Sequence, residues 1–481
     1  MGHITRRGLL PRCDVLLRNA MVDGALVDIR IENGLITGIG SFAGEGTDLE
    51  GAHVIPGLWD EHVHFSQWAL NRQRLDVSSA ASAHDTAQLV GAAIAQAPRL
   101  VGYGFRDGLW PDAPNLADLD AVSGDRPVVL ISGDLHAVWL NSAALAEHGH
   151  AGHPTGLLRE EPAFAVTRAV VQVPADELDS AVIAAGIEAA KRGVVGVVDL
   201  EMDWQLDVWR RRRAAGFDSQ RVQFGIYRQH LDRAIELGLR TGQAIDDLLS
   251  VGRFKILTDG SLNTRTAYCA HDYPGTHERG LLEVPLDELV GLVAHAWANG
   301  IEPSIHAIGD AANTVALDAF AAVGCPGRVE HAQLVAAADF ARFAALGVVA
   351  SIQPEHAMDD RDVADHYWAD RADRAYAWRS LLESGVELAL GSDAPVAPID
   401  PWVTMAAAVF RSRDGREPWH AEQSIPFAAA LAGSTRSTVA VGQPADLVVV
   451  GSDPSVADAD ELRDMSVYAT ILAGRFTHLE A

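Results

Sequence analysis

The sequence has few cysteines, and they are widely separated. Cys13, Cys269 and Cys325 are the only three in 481 residues, and none of their spacings is typical of a thiolate zinc site. Three are also too few for a disulfide framework, which favours a reducing compartment. The fold must therefore be stabilised by a hydrophobic core.

Long apolar runs are also absent. No uninterrupted stretch of about 18 apolar residues occurs, so we expect no membrane-spanning helix. Residues 5–10 resemble a twin-arginine export signal, but Arg12, Asp14 and Arg18 interrupt the apolar run that such a signal needs next. We interpret this segment as a tail and expect a cytoplasmic protein.

Basic residues are in deficit, with 38 Lys+Arg against 65 Asp+Glu and a formal charge of −27. Such a surface repels nucleic-acid phosphates and anionic lipid headgroups. We therefore expect a small-molecule substrate, no nucleic acid and no membrane partner, with a homodimer as one possible assembly.

Lysine is the scarcest charged residue. Lys191 and Lys255 are the only two, and the other 36 basic residues are arginines. Because a guanidinium cannot replace a nucleophilic amine, a lysine in such a chain could be chemically required. The alternative is that these two lysines are present by chance.

Both chain ends carry patterns typical of β-strands. Val27, Ile29 and Ile31 alternate with polar residues, and Asn33-Gly34 supplies a two-residue hairpin turn. Apolar runs at 446–450 and 467–472 resemble this pattern near the other end. We predict that 1–54 and 435–481 together form a small β-sandwich domain.

An α/β pattern repeats between the two ends. Helix-like segments end in a glycine, and a strand-like run follows at once, as expected for βα units. Together with runs that end at His64, Tyr227 and Thr258, this gives eight strand candidates. We predict an α/β fold, a (β/α)8 TIM-type barrel over 55–434, with an insertion at about 66–190. The glycines that end the helical patterns are Gly193, Gly300, Gly324, Gly347 and Gly385.

Several strand candidates end in residues that can bind a metal ion. In Asp60-Glu61-His62-Val63-His64, alternation along a strand sends both imidazoles to one face, where they can bind one ion. A pair of core or surface histidines is the alternative. Because each of four later strand candidates also delivers one polar residue at the same end, chance is a weak explanation of the whole set. These later residues are Lys255, His306, His331 and Asp393.

The sequence resembles the amidohydrolase superfamily, and most closely its YtcJ-like subgroup (amidohydrolase family 3), which includes N-substituted formamide deformylases. The resemblance spans nearly the whole chain. It is carried by Pro56-Gly57-Leu58-Trp59-Asp60-Glu61-His62-Val63-His64, Asp259-Gly260-Ser261-Leu262, Arg265-Thr266-Ala267, His306-Ala307-Ile308-Gly309-Asp310, Val329-Glu330-His331-Ala332-Gln333, Ser351-Ile352-Gln353-Pro354, Gly391-Ser392-Asp393 and Gly442-Gln443-Pro444-Ala445-Asp446-Leu447.

The resemblance implies a metal-dependent barrel and a set of ligands. It places a carbamate of Lys255, formed with CO2, between two divalent ions, which we expect to be zinc. An ammonium paired with Asp259 or Glu201 is the alternative for this lysine, and a single-metal site remains open. The implied ligands are His62, His64 and Asp393 for one ion and His306 and His331 for the other.

These residues predict the hydrolysis of a carbon–nitrogen bond. Two divalent ions lower the pKa of a bound water towards about 7 and polarise a carbonyl. Asp393 is then expected to accept the water's proton and return it to the leaving nitrogen. We predict an amide, N-acyl or N-formyl substrate. A cyclic imide, urea-like or ester substrate is an alternative, as is a silent barrel used only for binding.

Four further residues are candidates for substrate contact. His136 lies in the insertion, where the subgroup has a similar Asp-x-His segment; here Leu135 stands where relatives usually have glycine. A surface-loop histidine is the alternative. Arg265 could pair with a substrate anion or with Asp259. Gln353 and His356 follow the seventh strand candidate.

Overall fold

The computed structural model describes residues 14–95, 97–171 and 173–480, so the predicted tail at 5–10 and Cys13 lie outside the described residues. Asn33 and Gly34, at φ values of 53° and 79°, form the predicted two-residue turn of an antiparallel hairpin. Two shorter strands then pair in parallel with the first strand. The N-terminal strands are β1 (Val15–Val22), β2 (Ala25–Glu32), β3 (Leu35–Gly40), β4 (Thr47–Asp48) and β5 (His53–Pro56).

The first barrel strand, β6 (Leu58–Val63), is buried along its whole length and is followed by helix α1 (Phe65–Asn71). The chain then leaves the barrel and forms a separate five-stranded sheet with its own buried core. The strands of this sheet are β7 (Leu75–Asp76), β8 (Leu100–Phe105), β9 (Val128–Ser132), β10 (Ala137–Leu140) and β11 (Leu157–Arg159). Its helices are α2 (Ala83–Ile94), α3 (Leu116–Ser123), α4 (Ser142–Glu147) and α5 (Glu161–Val171).

Helix α6 (Ala175–Ala190) returns the chain to the barrel, and its buried residues join the main core. Seven more strands follow, each parallel to the one before it, with β6 beside the first of them. They are β12 (Val194–Asp199), β13 (Arg221–Tyr227), β14 (Leu249–Leu257), β15 (Pro303–Ala307), β16 (Gly327–His331), β17 (Val348–Ile352) and β18 (Leu388–Leu390).

Helices separate these strands and cover the barrel. The five glycines predicted to end helical segments all have positive φ, between 64° and 85°. This left-handed conformation suits glycine and lets the chain turn into the next strand. The helices are α7 (Gln205–Ala214), α8 (Leu231–Glu236), α9 (Leu286–Ala298), α10 (Asp310–Val323), α11 (Phe340–Leu346), α12 (Pro354–Tyr367), α13 (Trp378–Glu383), α14 (Pro401–Phe410) and α15 (Phe427–Gly433).

The C-terminal strands β19 (Leu447–Val450), β20 (Val467–Leu472) and β21 (Arg475–Leu479) extend the N-terminal sheet, with helix α16 (Ala459–Arg463) between the first two. β19 pairs with β5, so both chain ends contribute to one sheet around a shared core. The predicted barrel and the predicted sheet built from both ends are therefore confirmed. None of the helices in the described residues is long and apolar enough to cross a membrane.

Candidate metal centre

The barrel closes where its first and last strands meet, and predicted ligands lie on both sides of this seam. The backbone N–H of Asp393 donates to the carbonyl of His62 at 2.7 Å, and the N–H of His64 donates to the carbonyl of Ala394 at 2.7 Å. These bonds bring residues from opposite ends of the barrel sequence into direct contact. Asp393 has a φ of 56°, a left-handed conformation that costs a non-glycine residue about 1 kcal/mol or more.

Three predicted ligands of the first ion meet at this seam. Nε2 of His62 lies 3.3 Å and Nε2 of His64 lies 3.4 Å from Oδ1 of Asp393. Burial raises the pKa of Asp393, but His62, His64 and His356 together outweigh that effect and lower it, so this carboxyl stays ionised. All three side chains are at most about one-tenth exposed.

The two histidines predicted for the second ion lie beside the first group. The ring centroids of His306 and His331 are 4.5 Å apart, and those of His62 and His331 are 5.1 Å apart. Ligand atoms of His62, His331 and Asp393 all lie within 4.8 Å of one another. The structure thus brings residues of the two predicted ligand sets close together.

Lys255 lies on β14 in the same cavity and is only 2% exposed. Neither pairing considered for an ammonium is present: Asp259 accepts backbone N–H bonds from Ile308 and Gly309, and Glu201 accepts bonds from Gln67. Burial lowers the pKa of Lys255, which favours the neutral amine. A neutral amine is the form that could add CO2.

The cluster fits a divalent cation because it leaves buried polar atoms without hydrogen bonds. Such atoms are costly in a folded protein, whereas a metal ion satisfies imidazole nitrogens and carboxylate oxygens together. Burial and the neighbouring His306 hold the pKa of His331 well below its usual value, so its ring is neutral, as a metal ligand requires. Within the described residues the unbonded atoms include Nδ1 of His64, Nζ of Lys255, Nδ1 of His331 and Oδ1 of Asp393.

Glu330 orients His62, a role that the sequence reasoning did not anticipate. Its Oε2 accepts a hydrogen bond from Nδ1 of His62 at 2.7 Å, so Nε2 is left facing Asp393. The hydroxyl of Ser304 donates to the other oxygen of Glu330. A carboxylate behind a histidine in this way fixes the ring and makes it a stronger metal ligand. The available signal was an acidic residue within the apolar run of a buried strand.

His136 reaches the cavity from the insertion. Its Nδ1 bonds to Oε2 of Glu160 at 2.8 Å, and the hydroxyls of Thr264 and Thr266 donate to the other oxygen of that carboxylate. Burial lowers the pKa of His136, but Glu160 raises it to about 9, so the ring is an imidazolium near neutral pH. Leu135 has a φ of 65°, the conformation that glycine adopts freely.

The other three candidates for substrate contact have different surroundings. Nε2 of His356 lies 3.8 Å from Oδ2 of Asp393, at the cavity wall. The side chain of Gln353 lies behind the ligands, with Nε2 at 3.4 Å from Nδ1 of His62. Arg265 lies over the ring of Tyr367 in a neighbouring cavity.

The cavity at the carboxyl ends of the strands has a volume of about 1140 Å³, including its open mouth. The insertion forms one side of it, and partly buried polar contacts hold the insertion in place. Asp134 accepts a hydrogen bond from the hydroxyl of Ser261 at 2.6 Å, and Arg106 pairs with Asp359 at 2.8 Å. The arrangement leaves room for a small molecule next to the histidines and Asp393.

Comparisons with known proteins identify the family. Residues 45–478 match the amidohydrolase family, Amidohydro_3. The protein LONG AFTER FAR-RED 3 of Arabidopsis thaliana is 30% identical, with 92% of this chain and 87% of that protein covered. YtcJ of Bacillus subtilis (strain 168), which carries the name of an amidohydrolase, is 28% identical, with coverages of 94% and 95%. The N-substituted formamide deformylase of Arthrobacter pascens is 26% identical, with coverages of 89% and 89%.

A solved structure of an uncharacterized metal-dependent hydrolase from Pyrococcus horikoshii is similar in fold. Its TM-score is 0.76 at 24% identity, and the match covers 92% of this chain and 99% of that one. At this identity the likeness shows the shared fold. Because the family match extends over most of the sequence, the chain belongs to the amidohydrolase family, in its YtcJ-like subgroup.

Proposed function

We propose that this protein is a metal-dependent hydrolase that cleaves the carbon–nitrogen bond of a small amide, N-acyl or N-formyl compound. The observation that carries the proposal is the buried cluster of histidines around Asp393, with unbonded ligand atoms and a buried lysine beside it. The name of the Arthrobacter pascens relative supports the class of bond.

The six proposed ligands surround one part of the cavity. When divalent ions, most simply zinc, are bound there, they polarise a carbonyl and lower the pKa of water towards about 7. A carbamate on Lys255 would add a negatively charged ligand, which the neutral amine cannot supply. The proposed ligands are His62, His64, Lys255, His306, His331 and Asp393.

In this proposal, Asp393 moves the proton. Its pKa is held low by His62 and His64 despite burial, so it is ionised and can accept the proton of the attacking water at Oδ1 or Oδ2. It then returns that proton to the departing nitrogen, which is a poor leaving group until it is protonated. His136 is charged through its bond to Glu160 and faces the same cavity, where it can donate a hydrogen bond to the substrate.

A silent barrel that only binds ligands is the competing function. The test begins with the metal content of the purified protein, measured by elemental analysis. Hydrolysis of a panel of N-formyl, N-acyl, cyclic imide, urea-like and ester compounds is then measured before and after chelation, and again after metal is restored.

We expect bound divalent metal and chelator-sensitive cleavage, with the highest kcat/KM on an N-formyl or N-acyl compound. A well-folded protein that contains no metal and whose behaviour does not change when chelator is added would support the silent barrel. Cleavage limited to esters or cyclic imides would overturn the assignment of the bond and leave the metal centre in place.

A further inference from the structure

Glu201 is a buried carboxylate at the cavity wall that the proposed reaction does not use. It follows β12, is 7% exposed and lines the same cavity as His64. Gln67 supplies its hydrogen bonds: the backbone N–H donates to Oε1 at 2.8 Å and the side-chain amide donates to Oε2 at 3.2 Å. Both donors are neutral, so neither compensates the negative charge.

The nearby arginines are already engaged by other carboxylates. Nε of Arg211 lies 2.6 Å from Oδ2 of Asp179, and Nε of Arg212 lies 3.1 Å from Oδ1 of the same residue. Arg212 also interacts electrostatically with Asp199 and, without a direct ion pair, with Glu201. Two guanidinium groups therefore face three carboxylates, and Glu201 makes no ion pair within the described part of the chain.

The positive groups on the cavity wall do not offset this charge. Arg168 pairs with Glu161, and His136 pairs with Glu160. His64 interacts electrostatically with Glu201, but its Nε2 faces Asp393. Asp203 lies two residues beyond Glu201 at the rim of the cavity and adds a second carboxylate there. A buried carboxylate with no ion-pair partner is costly, and a cationic ligand would relieve that cost.

We propose that Glu201 binds a protonated amine of the substrate. This inference rests on the proposed function and narrows its substrate to N-acyl or N-formyl derivatives of diamines and related amino compounds. The acylated nitrogen lies at the histidine cluster, and the free ammonium lies at Glu201. Tyr227, Met202 and Leu257 also line the cavity and offer apolar surface to the methylene groups between the two ends.

The kinetic test compares N-formyl-1,4-diaminobutane with its neutral analogue N-pentylformamide. For the native protein we expect kcat/KM to be at least about tenfold higher for the cationic compound, because the neutral compound leaves the buried carboxylate without a charge partner. Glu201→Gln keeps the shape and a hydrogen bond to Gln67 but removes the charge, so the ratio should fall close to one. Glu188→Gln is the matched control, since this acid pairs with Lys191 at the surface.

A binding measurement separates this inference from the proposed function. Calorimetric titration of the metal-loaded protein with n-butylammonium and with n-butanol requires no turnover. We expect the native and Glu188→Gln proteins to prefer the cation by at least about tenfold, and Glu201→Gln to lose that preference. If the preference is found without hydrolysis of any amide, the cation site stands and the proposed reaction fails.

Two results would overturn the inference. One is an equal affinity for cation and alcohol in the native protein. The other is a folded Glu201→Gln protein that keeps the cation preference but has lost metal, since Glu201 would then serve the metal centre instead of the substrate.

Discussion

Replacing Glu330 by glutamine should weaken metal binding without unfolding the protein. Glu330 is 1% exposed and accepts the Nδ1 proton of His62 at 2.7 Å, while Ser304 donates to its other oxygen. Burial raises the pKa of Glu330, but His62 lowers it well below its usual value, so the native group is a carboxylate. Glutamine preserves the volume and one acceptor oxygen but removes the charge that makes the imidazole a stronger ligand.

The expected magnitude follows from the role of such carboxylates. Removing the acid behind a metal-bound histidine costs about 10- to 100-fold in metal affinity. That range corresponds to about 1.4–2.7 kcal/mol of binding free energy. The loss should appear in the metal dissociation constant itself, since Glu330 touches His62 and does not line the substrate cavity.

The assay is competition for zinc between the apoprotein and a chromophoric chelator. Glu302→Gln is the control, because this acid forms an ion pair with Arg253 at 3.0 Å at the opposite end of β15 from His306. Circular dichroism checks that both variants are folded. A dissociation constant within twofold of the native value for Glu330→Gln would refute the idea that this carboxylate tunes the metal ligand.

Three further predictions concern the ligands and the fold. Asp393→Asn should keep the fold and most of the metal but lower kcat by about 10²–10⁴-fold, and an undiminished rate would reject Asp393 as the proton shuttle. Lys255→Arg should lose metal and activity, and Lys255→Ala should be partly rescued by added short carboxylic acids; a fully active arginine variant would exclude the carbamate. Burial raises the pKa of Glu61, but Arg436 and Arg328 lower it to about 2, below its usual 4.5. This buried pairing should therefore contribute on the order of 3 kcal/mol above pH 4.5 and lose it as the pH falls towards 2, so urea unfolding of Glu61→Gln between pH 5 and 3 should show a smaller pH dependence than the native protein.

The barrel could be predicted because its signals are local. A helix that ends in glycine and an apolar strand that follows are both set by residues a few positions apart. The apolar runs at 100–105 and 128–132 carry the same local signal, and they form β8 and β9 of the insertion. The hairpin turn at Asn33-Gly34 was also predicted from neighbouring residues, and it is confirmed.

The supporting residues could not be predicted because their partners are distant in sequence. Glu330 and His62 are 268 positions apart, and Glu160 and Thr266 are 106 apart. No pattern in one sequence shows which acid will face which histidine after folding. From the sequence, Glu201 is a candidate only as a partner for the buried lysine. In the structure it accepts its hydrogen bond from Gln67 instead.

The acid of the Asp-x-His-x-His motif explains how ligands from the two ends of the barrel sequence meet. Oδ1 of Asp60 accepts the backbone N–H of Ser392 at 2.8 Å and that of His62 at 3.2 Å, so one carboxylate joins the first strand to the segment after the last. The backbone N–H of Asp393 donates to the carbonyl of His62 and continues this pairing. Closure of the barrel and placement of the ligands therefore depend on the same few bonds. A metal ion bound by His62 and Asp393 would link both sides of this seam, so metal binding should stabilise the closed barrel as well as enable catalysis.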